Sequence, residues 1–325
     1  MKSTTPFLAA ALAATFLAIT AIPVHAADKY PSRPVHIVAP TLPGSASDFV
    51  GRLLSQKLQE RWGQPVLIDY KPGAGQTIGT DFLAKAPADG YTIGLIYTSH
   101  VINPSVRAKL PYDTLNDFSG VTLLGYTPIL IATAGNSPFN NLSEVLAHAR
   151  RHPGDLTYAT PGVGTSPHFA GEFLGKVAGV DMRHVPFRSG AQFTQDVITG
   201  RIVLGIAALG TINALVKSGQ LKGIAVTDAK RTAAAPDVPS VSETIPGFSV
   251  PSFLGLTVPR GTPREIVHTI RNDIAAILKA PDVVAALANN GFEPVGNTPE
   301  EFDRFLAEQM PRWAAIVKQT GITPE

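Results

Sequence analysis

Short apolar runs of strand length alternate along this chain with longer segments in which apolar residues recur at helical spacing. Val35–Pro40 is the first such run, and an amphipathic segment follows it. Val66–Tyr70, Thr92–Tyr97 and Leu156–Thr160 are further predicted strands. Strands that alternate with helices indicate an α/β protein, with mainly parallel sheets flanked by helices.

The number of predicted strands favours two lobes, because about ten strands exceed what one compact sheet usually holds. The chain is expected to leave the first lobe near Gly125–Ile131 and to return near Gly247–Phe253. We therefore predict a discontinuous first lobe, residues 27–127 plus 252–325, and a second lobe, residues 128–251. The last predicted helix, near the end of the chain, could pack on either lobe.

Residues 1–26 have the pattern of a secretory signal peptide. Lys2 supplies a positive charge, and Phe7–Ile22 is a mostly apolar run, shorter than the roughly 20 residues of a membrane-spanning helix. Pro23 ends that run, and small residues precede the predicted cleavage site after Ala26. We predict a soluble periplasmic protein; an uncleaved membrane anchor is the alternative.

Composition and motifs argue against several functions. The net charge is +2 and no basic block suits a nucleic acid, while the absence of Cys excludes disulfides, thiol catalysis and Cys-based zinc sites. His148 and His152 have zinc-helix spacing but lack the Glu of a zincin, and Gly162-x-Gly164 meets Pro167 where a dinucleotide fingerprint needs Gly. We predict no catalytic residue, no metal and no cofactor. A periplasmic hydrolase stays open, although no G-x-S-x-G motif is present.

Loops rich in Gly, Ser and Thr follow the predicted strands and lead into helices. In open α/β sheets ligands bind beyond the carboxyl ends of the strands. Helix N-termini add free N–H groups and partial positive charge, so converging loops predict an anion site. Alternatively each loop only caps its own helix, as the capping-box patterns Ser45-x-x-Asp48 and Ser189-x-x-Gln192 indicate. The loops are Thr41–Asp48, Lys71–Thr77, Thr98–His100, Pro161–His168 and Phe187–Gln192.

Several phrases of the sequence together resemble one family. They include residues 30–43 (YPSRPVHIVAPTLP), 72–91 (PGAGQTIGTDFLAKAPADGY), 158–172 (YATPGVGTSPHFAGE), 184–190 (HVPFRSG) and 296–302 (GNTPEEF). The chain is similar to the Bug-type periplasmic solute-binding proteins, the extracytoplasmic receptors of tripartite tricarboxylate transporters. The similarity is collinear over essentially the whole chain after the predicted signal peptide.

The resemblance implies a two-lobed periplasmic binding protein fold, type II-like, with the ligand cleft between the lobes. It implies that the protein captures a small organic carboxylate by hinge closure and delivers it to the membrane subunits of a transporter. The same fold could instead serve as the ligand sensor of a signalling ectodomain. We expect a monomer.

The family's binding loops correspond to residues 41–48 and 162–168. Asp48 orients the first loop or only caps its helix. Arg188 could reach a second carboxylate, and exposure to solvent is the alternative. The predicted ligand-binding residues are Leu42, Pro43, Gly44, Ser45, Ala46, Ser47, Asp48, Ser99, Gly162, Gly164, Thr165, Ser166, His168, Arg188, Ser189 and Ala208.

The chain departs from the family pattern at two places. Pro43-Gly44-Ser45 replaces Pro-Gly-Gly, which adds a hydroxyl group. An Asp that could meet a ligand ammonium is missing near Ala207-Ala208. The departures disfavour an amino-acid ligand and favour an aromatic or aliphatic mono- or dicarboxylate. Three phenylalanines could form an apolar wall beside it or belong to the core: Phe49, Phe169 and Phe187.

Overall fold

The computed structural model describes residues 30–321, so the predicted signal peptide lies outside the described residues. The described part from Arg33 onwards belongs to one compact unit. It contains eleven strands and ten helices. None of these helices is both long and apolar enough to span a bilayer.

The strands form two sheets. They are β1 (Val35–Ala39), β2 (Val66–Tyr70), β3 (Thr92–Tyr97), β4 (Phe118–Tyr126), β5 (Ile129–Ala134), β6 (Thr157–Thr160), β7 (Arg183–Pro186), β8 (Leu204–Ala208), β9 (Leu221–Val226), β10 (Phe253–Pro259) and β11 (Glu293–Pro294).

Helices cover the faces of both sheets. They are α1 (Ala46–Trp62), α2 (Thr77–Ala84), α3 (Thr98–Val106), α4 (Leu142–Arg151), α5 (Ser166–Ala178), α6 (Gly190–Ile198), α7 (Leu209–Lys217), α8 (Arg264–Leu278), α9 (Pro281–Asn289) and α10 (Pro299–Thr320). Two short 3₁₀ helices, Ala74–Gln76 and Val241–Glu243, lie in loops.

Each sheet is mixed. The first has the strand order β11-β4-β10-β3-β1-β2, with β1 parallel to β2 and β3, and β10 antiparallel to β3 and β4. The second has the order β7-β6-β8-β5-β9, with β6 parallel to β7 and β8, and β5 antiparallel to β8 and β9. A strand that arrives from the other lobe enters its sheet at the cleft end, so β5 and β10 run against their neighbours. The predicted α/β, two-lobed class is confirmed, with antiparallel pairs where the chain crosses.

The two crossing connections run side by side. The Thr127 N–H group donates to the Ser252 carbonyl at 2.9 Å, and the Phe253 N–H group donates to Thr98 Oγ1 at 2.9 Å. Thr227 and Val250 also pair, since the Val250 N–H group donates to the Thr227 carbonyl at 2.9 Å. Backbone hydrogen bonds therefore join the segments that cross between the lobes. These segments lie at the ends of β4, β5, β9 and β10.

The last helix, α10, packs on both lobes. It contacts α3 and β4 of the first lobe and α5 of the second. Trp313 and Phe302 are buried in the core that results. A Cβ atom at Gly255 would lie 2.1 Å from Phe302 Cζ, so β10 must carry Gly at this position for the ring to approach. The alternatives left open by the sequence are thereby resolved in favour of contact with both lobes.

The sequence interpretation missed four elements: β4, β5, β11 and α3. The segment from β4 to β5 was expected only to cross between lobes, yet it forms two long strands separated by Thr127 and Pro128. The predicted loop Thr98–His100 is the first turn of α3. This helix begins directly after β3 without a turn residue and contains Pro104, so its pattern gives little sign of a helix.

Candidate ligand-binding site

A cavity of about 730 Å³ lies between the two lobes, at the carboxyl ends of strands from both sheets. Residues of both lobes line it. The predicted ligand-binding residues among them are Leu42, Ser45, Ser99, Gly162, Thr165, Ser166, Arg188, Ser189 and Ala208. Five other predicted residues lie in the same loops or helix turns without lining the cavity: Pro43, Gly44, Asp48, Gly164 and His168. Ala46 and Ser47 belong to the first turn of α1.

Six helices begin at the cavity wall. Residues at their N-termini contribute to the lining: Ser45 for α1, Gln76 for α2, Tyr97 and Ser99 for α3, Thr165 for α5, Ser189 for α6 and Ala208 for α7. The first N–H groups of a helix have no partner within the helix, and the helix dipole makes this end partly positive. The cavity therefore offers hydrogen-bond donors and positive potential from both sides.

The charged groups of the lining have one sign. Arg107 from the first lobe and Arg188 from the second line the cavity, and no Asp or Glu of the described residues does. Phe187 also lines it, together with Leu42 and other apolar side chains. Phe169, by contrast, is buried in the core, and the half-buried Phe49 is not part of the lining. The cavity thus combines apolar surface with donors suited to an anion.

The loop after β1 is held by the carboxylate of Asp48. Asp48 accepts hydrogen bonds from the Gly44 N–H group at 2.8 Å, from the Tyr70 hydroxyl at 2.5 Å and from Arg52 Nε at 3.0 Å. Burial alone would raise the pKa of Asp48, but these bonds hold it below its ordinary value. Only half of the predicted capping box forms: Ser45 Oγ accepts from the Asp48 N–H group at 3.1 Å, while the Asp48 carboxylate holds Gly44 instead of Ser45.

The loop after β6 is held by uncharged groups. Thr165 Oγ1 donates to the Gly162 carbonyl at 2.7 Å, and Thr160 Oγ1 lies 2.7 Å from His184 Nε2. His168 Nδ1 accepts from the Gly164 N–H group at 3.4 Å, and its ring contacts that of His184, with the ring centres 4.3 Å apart and the ring planes tilted by 31°. Burial lowers the pKa of both imidazoles to about 4, so both are neutral near pH 7.

Two other predictions about side chains need correction or refinement. Ser189 makes no side-chain cap bond to α6; Gln192 Oε1 instead accepts from the Arg188 N–H group at 3.0 Å, so the predicted capping box is wrong. Gln192 reaches one residue further back along the loop, because the backbone before the helix is extended. Ser166 Oγ lies 3.1 Å from Ser252 Oγ, so this predicted ligand residue also contacts a crossing connection.

The loop before α2 was predicted as the range Lys71–Thr77, without individual ligand-binding residues. Its residues line the cavity, and its backbone has an unusual conformation. Three successive residues, Ala74, Gly75 and Gln76, have φ values of 48°, 59° and 77°. Two of them are not Gly, and such left-handed conformations are costly for residues with a Cβ atom. Helix α3 holds this loop: Asn103 Nδ2 donates to the Gly75 carbonyl at 3.1 Å, and Ser99 Oγ donates to Gln76 Oε1.

Among residues that sequence reasoning missed are Arg107, Gln76, Tyr97 and Ser252, all of which line the cavity. Gln76 lies in the predicted loop Lys71–Thr77 but was not singled out, and the other three have no local motif around them. Arg107 follows the last turn of α3, and only the packing of that helix brings it to the cleft. No cluster of His, Asp and Glu within residues 30–321 is arranged to hold a metal ion.

Comparison with protein families identifies the class. The model of the tripartite tricarboxylate transporter family receptor matches residues 50–322, so the chain belongs to this family. It is 34% identical over 292 residues to a UPF0065 protein encoded in the tcbD-tcbE intergenic region of Pseudomonas sp. strain P51, covering 89% of this chain and 87% of the relative. It is 30% identical to protein BugT of Bordetella pertussis strain Tohama I, covering 91% of each chain.

Solved structures agree with this assignment. The periplasmic binding protein BugD is 30% identical with a TM-score of 0.85, and the alignment covers 91% of this chain and 100% of BugD. R. palustris Rpa4515, solved with adipate, is 30% identical with a TM-score of 0.87 over 91% of this chain and 100% of that one. MatC (Rpa3494) of Rhodopseudomonas palustris, with bound malate, is 28% identical with a TM-score of 0.82, covering 89% and 100%.

The family assignment confirms the predicted resemblance to Bug-type receptors. Its members are solute-binding receptors, which confirms the expectation of a binding protein instead of an enzyme. The family assignment therefore argues against the hydrolase alternative.

Proposed function

We propose that this protein is a periplasmic receptor that captures a small organic carboxylate between its lobes and delivers it to a tripartite tricarboxylate-type membrane transporter. One observation carries the proposal: a cavity between the lobes is bordered by six helix N-termini, and its only charged lining residues among those described are two arginines. Bound adipate and malate in two relatives support a carboxylate as the ligand class.

In this proposal one ligand carboxylate binds the backbone N–H groups at the start of α1 and α5. Ser45 and Ser166 add hydroxyl groups, and Phe187 packs against the apolar part of the ligand. Pro43, Gly44, Ala46, Ser47, Asp48, Gly164 and His168 shape the two loops. A free amino acid is disfavoured, because no described carboxylate lines the cavity to pair with its ammonium group.

Delivery requires two further features that we include in the proposal. The signal peptide is removed after Ala26 and the mature protein works as a monomer in the periplasm. The lobes close around the ligand by rotation at the crossing connections beside Thr127 and Ser252, which presents a changed surface to the membrane subunits. Sequencing of the N-terminus of protein from a periplasmic extract should find Ala27 first.

Ligand binding is tested on protein that has been unfolded, washed and refolded, so that no co-purified ligand remains. We expect a few mono- or dicarboxylates to raise the melting temperature, with about 2.7 kcal/mol of added stability at a hundredfold excess over Kd. Free aspartate and glutamate should give no comparable shift. Failure of every acid to shift refolded protein, or equal shifts from amino acids, would contradict the proposed ligand class.

Ser166→Ala sharpens this experiment. A charge-assisted hydrogen bond is worth about 1.5–3 kcal/mol, so the variant should bind roughly tenfold or more weakly while its melting temperature without ligand stays near the wild-type value. Ser252→Ala is the comparison variant, since it removes the other side of the Ser166–Ser252 contact and Ser252 also lines the cavity. Equal losses of affinity in both variants would mean that the two hydroxyl groups act as a pair, and would contradict a separate bond from Ser166 to the ligand.

The transport role is tested separately in cells. Deletion of the gene should abolish uptake of the ligand found in the binding assay, and the wild-type gene should restore it. If uptake persists while a transcriptional response to the ligand is lost, the protein serves a sensor and not a transporter.

A further inference from the structure

We propose that Arg107 pairs with a second anionic group of the ligand and thereby determines the preference for dianions over monoanions. This inference rests on the proposed function, because it concerns the same cavity. It goes beyond the residues that the sequence suggested, among which Arg188 was the candidate for a second carboxylate.

The first observation is a row of polar side chains along α3. Ser99 and Asn103 are four residues apart on one face of α3, and Arg107 follows four residues later as the extended residue that ends the helix. Ser99 and Asn103 each hydrogen-bond to the loop before α2, through Gln76 and Gly75. Arg107 breaks the pattern: its Nε atom is buried without a hydrogen-bond partner, and no ion pair of Arg107 is found within residues 30–321.

The second observation is the position of the guanidinium group. A Cβ atom added at Gly75 would lie 2.9 Å from Arg107 Nη2, and one added at Gly164 would lie 3.9 Å from it. Gly75 belongs to the first lobe and Gly164 to the second, so Arg107 reaches the place where loops of both lobes meet beside the cavity. The absence of side chains at both glycines leaves the group accessible from the cleft.

A partly buried guanidinium without a counter-ion is unfavourable, and its planar fork matches a carboxylate. No carboxylate of the described residues fills this role: none forms an ion pair with Arg107, and no described Asp or Glu lines the cavity. Asp81 pairs with Lys85 through Oδ2, and its Oδ1 is buried without a hydrogen-bond partner. Arg188 differs from Arg107 because its side chain is exposed, so water already solvates much of its charge. The geometry therefore favours Arg107.

The test uses succinate, glutarate, adipate and pimelate, each beside the monocarboxylate of the same chain length, with Kd measured by calorimetry on refolded protein. For the diacid that wild-type protein binds best, Arg107→Gln should weaken binding about 10- to 100-fold, the loss expected for charge-assisted bonds. The matching monoacid should lose much less. Arg107→Lys should fall between wild type and Arg107→Gln, since it keeps the charge without the fork.

Lys109→Gln is the matched control, because it removes one positive charge from an exposed residue close to Arg107 in sequence. It should leave both affinities unchanged. Equal losses of diacid and monoacid in Arg107→Gln, or no loss in a variant that melts like wild type, would overturn the inference while leaving the proposed receptor function intact. If wild-type protein binds no carboxylate at all, the proposed function itself fails first.

Discussion

The two loops that face each other across the cavity perform the same task with opposite chemistry. The loop after β1 is fixed by a buried, ionised carboxylate, that of Asp48, which gathers a backbone N–H group, a hydroxyl and a guanidinium. The loop after β6 is fixed by neutral groups, among them the imidazole rings of His168 and His184, which contact each other. Both arrangements hold a Gly- and Ser-containing loop at the start of a helix.

The difference predicts that acid weakens the two loops at different pH values. The pKa of Asp48 lies below its ordinary value, so its contribution to stability is present above that ordinary value and is lost only as the pH falls through the lowered pKa. The pKa values of His168 and His184 are lowered to about 4 from an ordinary 6.5. Below about pH 6.5 the two imidazoles are protonated in the unfolded chain but stay neutral in the folded protein. The free energy of unfolding therefore decreases as the pH drops below about 6.5. Mild acid should loosen the second loop first.

Removal of the Asp48 carboxylate should have the largest effect. Asp48→Ala leaves Gly44 and Tyr70 without their acceptor and creates a void, so we expect a loss of about 3 kcal/mol in the free energy of unfolding. Urea denaturation measures it. Ligand affinity should fall as well, because the loop that carries Ser45 loses its anchor.

Asp48→Asn tests the contribution of the negative charge separately from that of the side chain's shape. It keeps an acceptor oxygen for Gly44 but loses the ionised group, so its loss of stability should be smaller than that of Asp48→Ala. Tyr70→Phe, which removes one donor, should be milder still. If Asp48→Ala melts like wild type, the carboxylate is not what holds the first loop.

The imidazole pair should produce the next largest effect, and only in acid. Between pH 7 and pH 5 each buried neutral His costs about 2 kcal/mol of stability, since the unfolded side chain gains a proton that the folded one lacks. His184→Gln keeps a polar group near Thr160 and should make the pH dependence shallower by about that amount. Stability measured by urea titration at both pH values gives the difference.

The comparison must be made between variants, because another group has the opposite sign. Burial and the nearby Glu293 raise the pKa of Asp228 to about 7, so its contribution is full below the ordinary value near 3.8 and is lost as the pH rises through 7. The pH dependence of stability in the wild-type protein is therefore the sum of the histidine effect and the opposite Asp228 effect. His152→Gln, at an exposed position, is the matched control and should keep the wild-type slope. An unchanged slope in His184→Gln as well would refute the role of the pair.

The sequence was sufficient to predict the fold class and the positions of the loops after β1 and β6, because the patterns that indicate them are local. Buried strands, glycines and capping residues stand next to one another between Val35 and Asp48, and again between Leu156 and His168. The sequence could not show how Asp48 acts, since Tyr70 reaches it from the end of the next strand. The choice between a cap and a loop anchor depends on that tertiary contact.

Arg107 illustrates the limit more clearly. Its neighbours in sequence carry no motif, and the helix before it contains Pro104 and follows a strand without a turn. What makes Arg107 distinctive is a missing hydrogen bond and the approach of two glycines, Gly75 and Gly164, from distant parts of the chain. Such features exist only after packing, so no reading of local pattern could have found them.

The smallest effects on stability are expected when a hydroxyl group is removed from either of the two loops. Ser45 Oγ accepts from the Asp48 N–H group and so caps α1, whereas Thr165 Oγ1 donates to the Gly162 carbonyl and caps nothing. Ser45→Ala should cost about 1 kcal/mol, as loss of an N-cap usually does. Thr165→Ala should cost about 0.5–1 kcal/mol, because it removes one ordinary hydrogen bond within a loop.

The two variants differ further in where the damage lies. Loss of a cap frays the first turn of a helix, so hydrogen exchange should speed up at the start of α1 in Ser45→Ala. Thr165→Ala should leave exchange at the start of α5 nearly unchanged, since Pro167 and the N-cap backbone still define that turn. Equal fraying of both helices would mean that Thr165 also stabilises the first turn of its helix. The proposed difference, in which Ser45 caps a helix and Thr165 only bonds within its loop, would then be wrong.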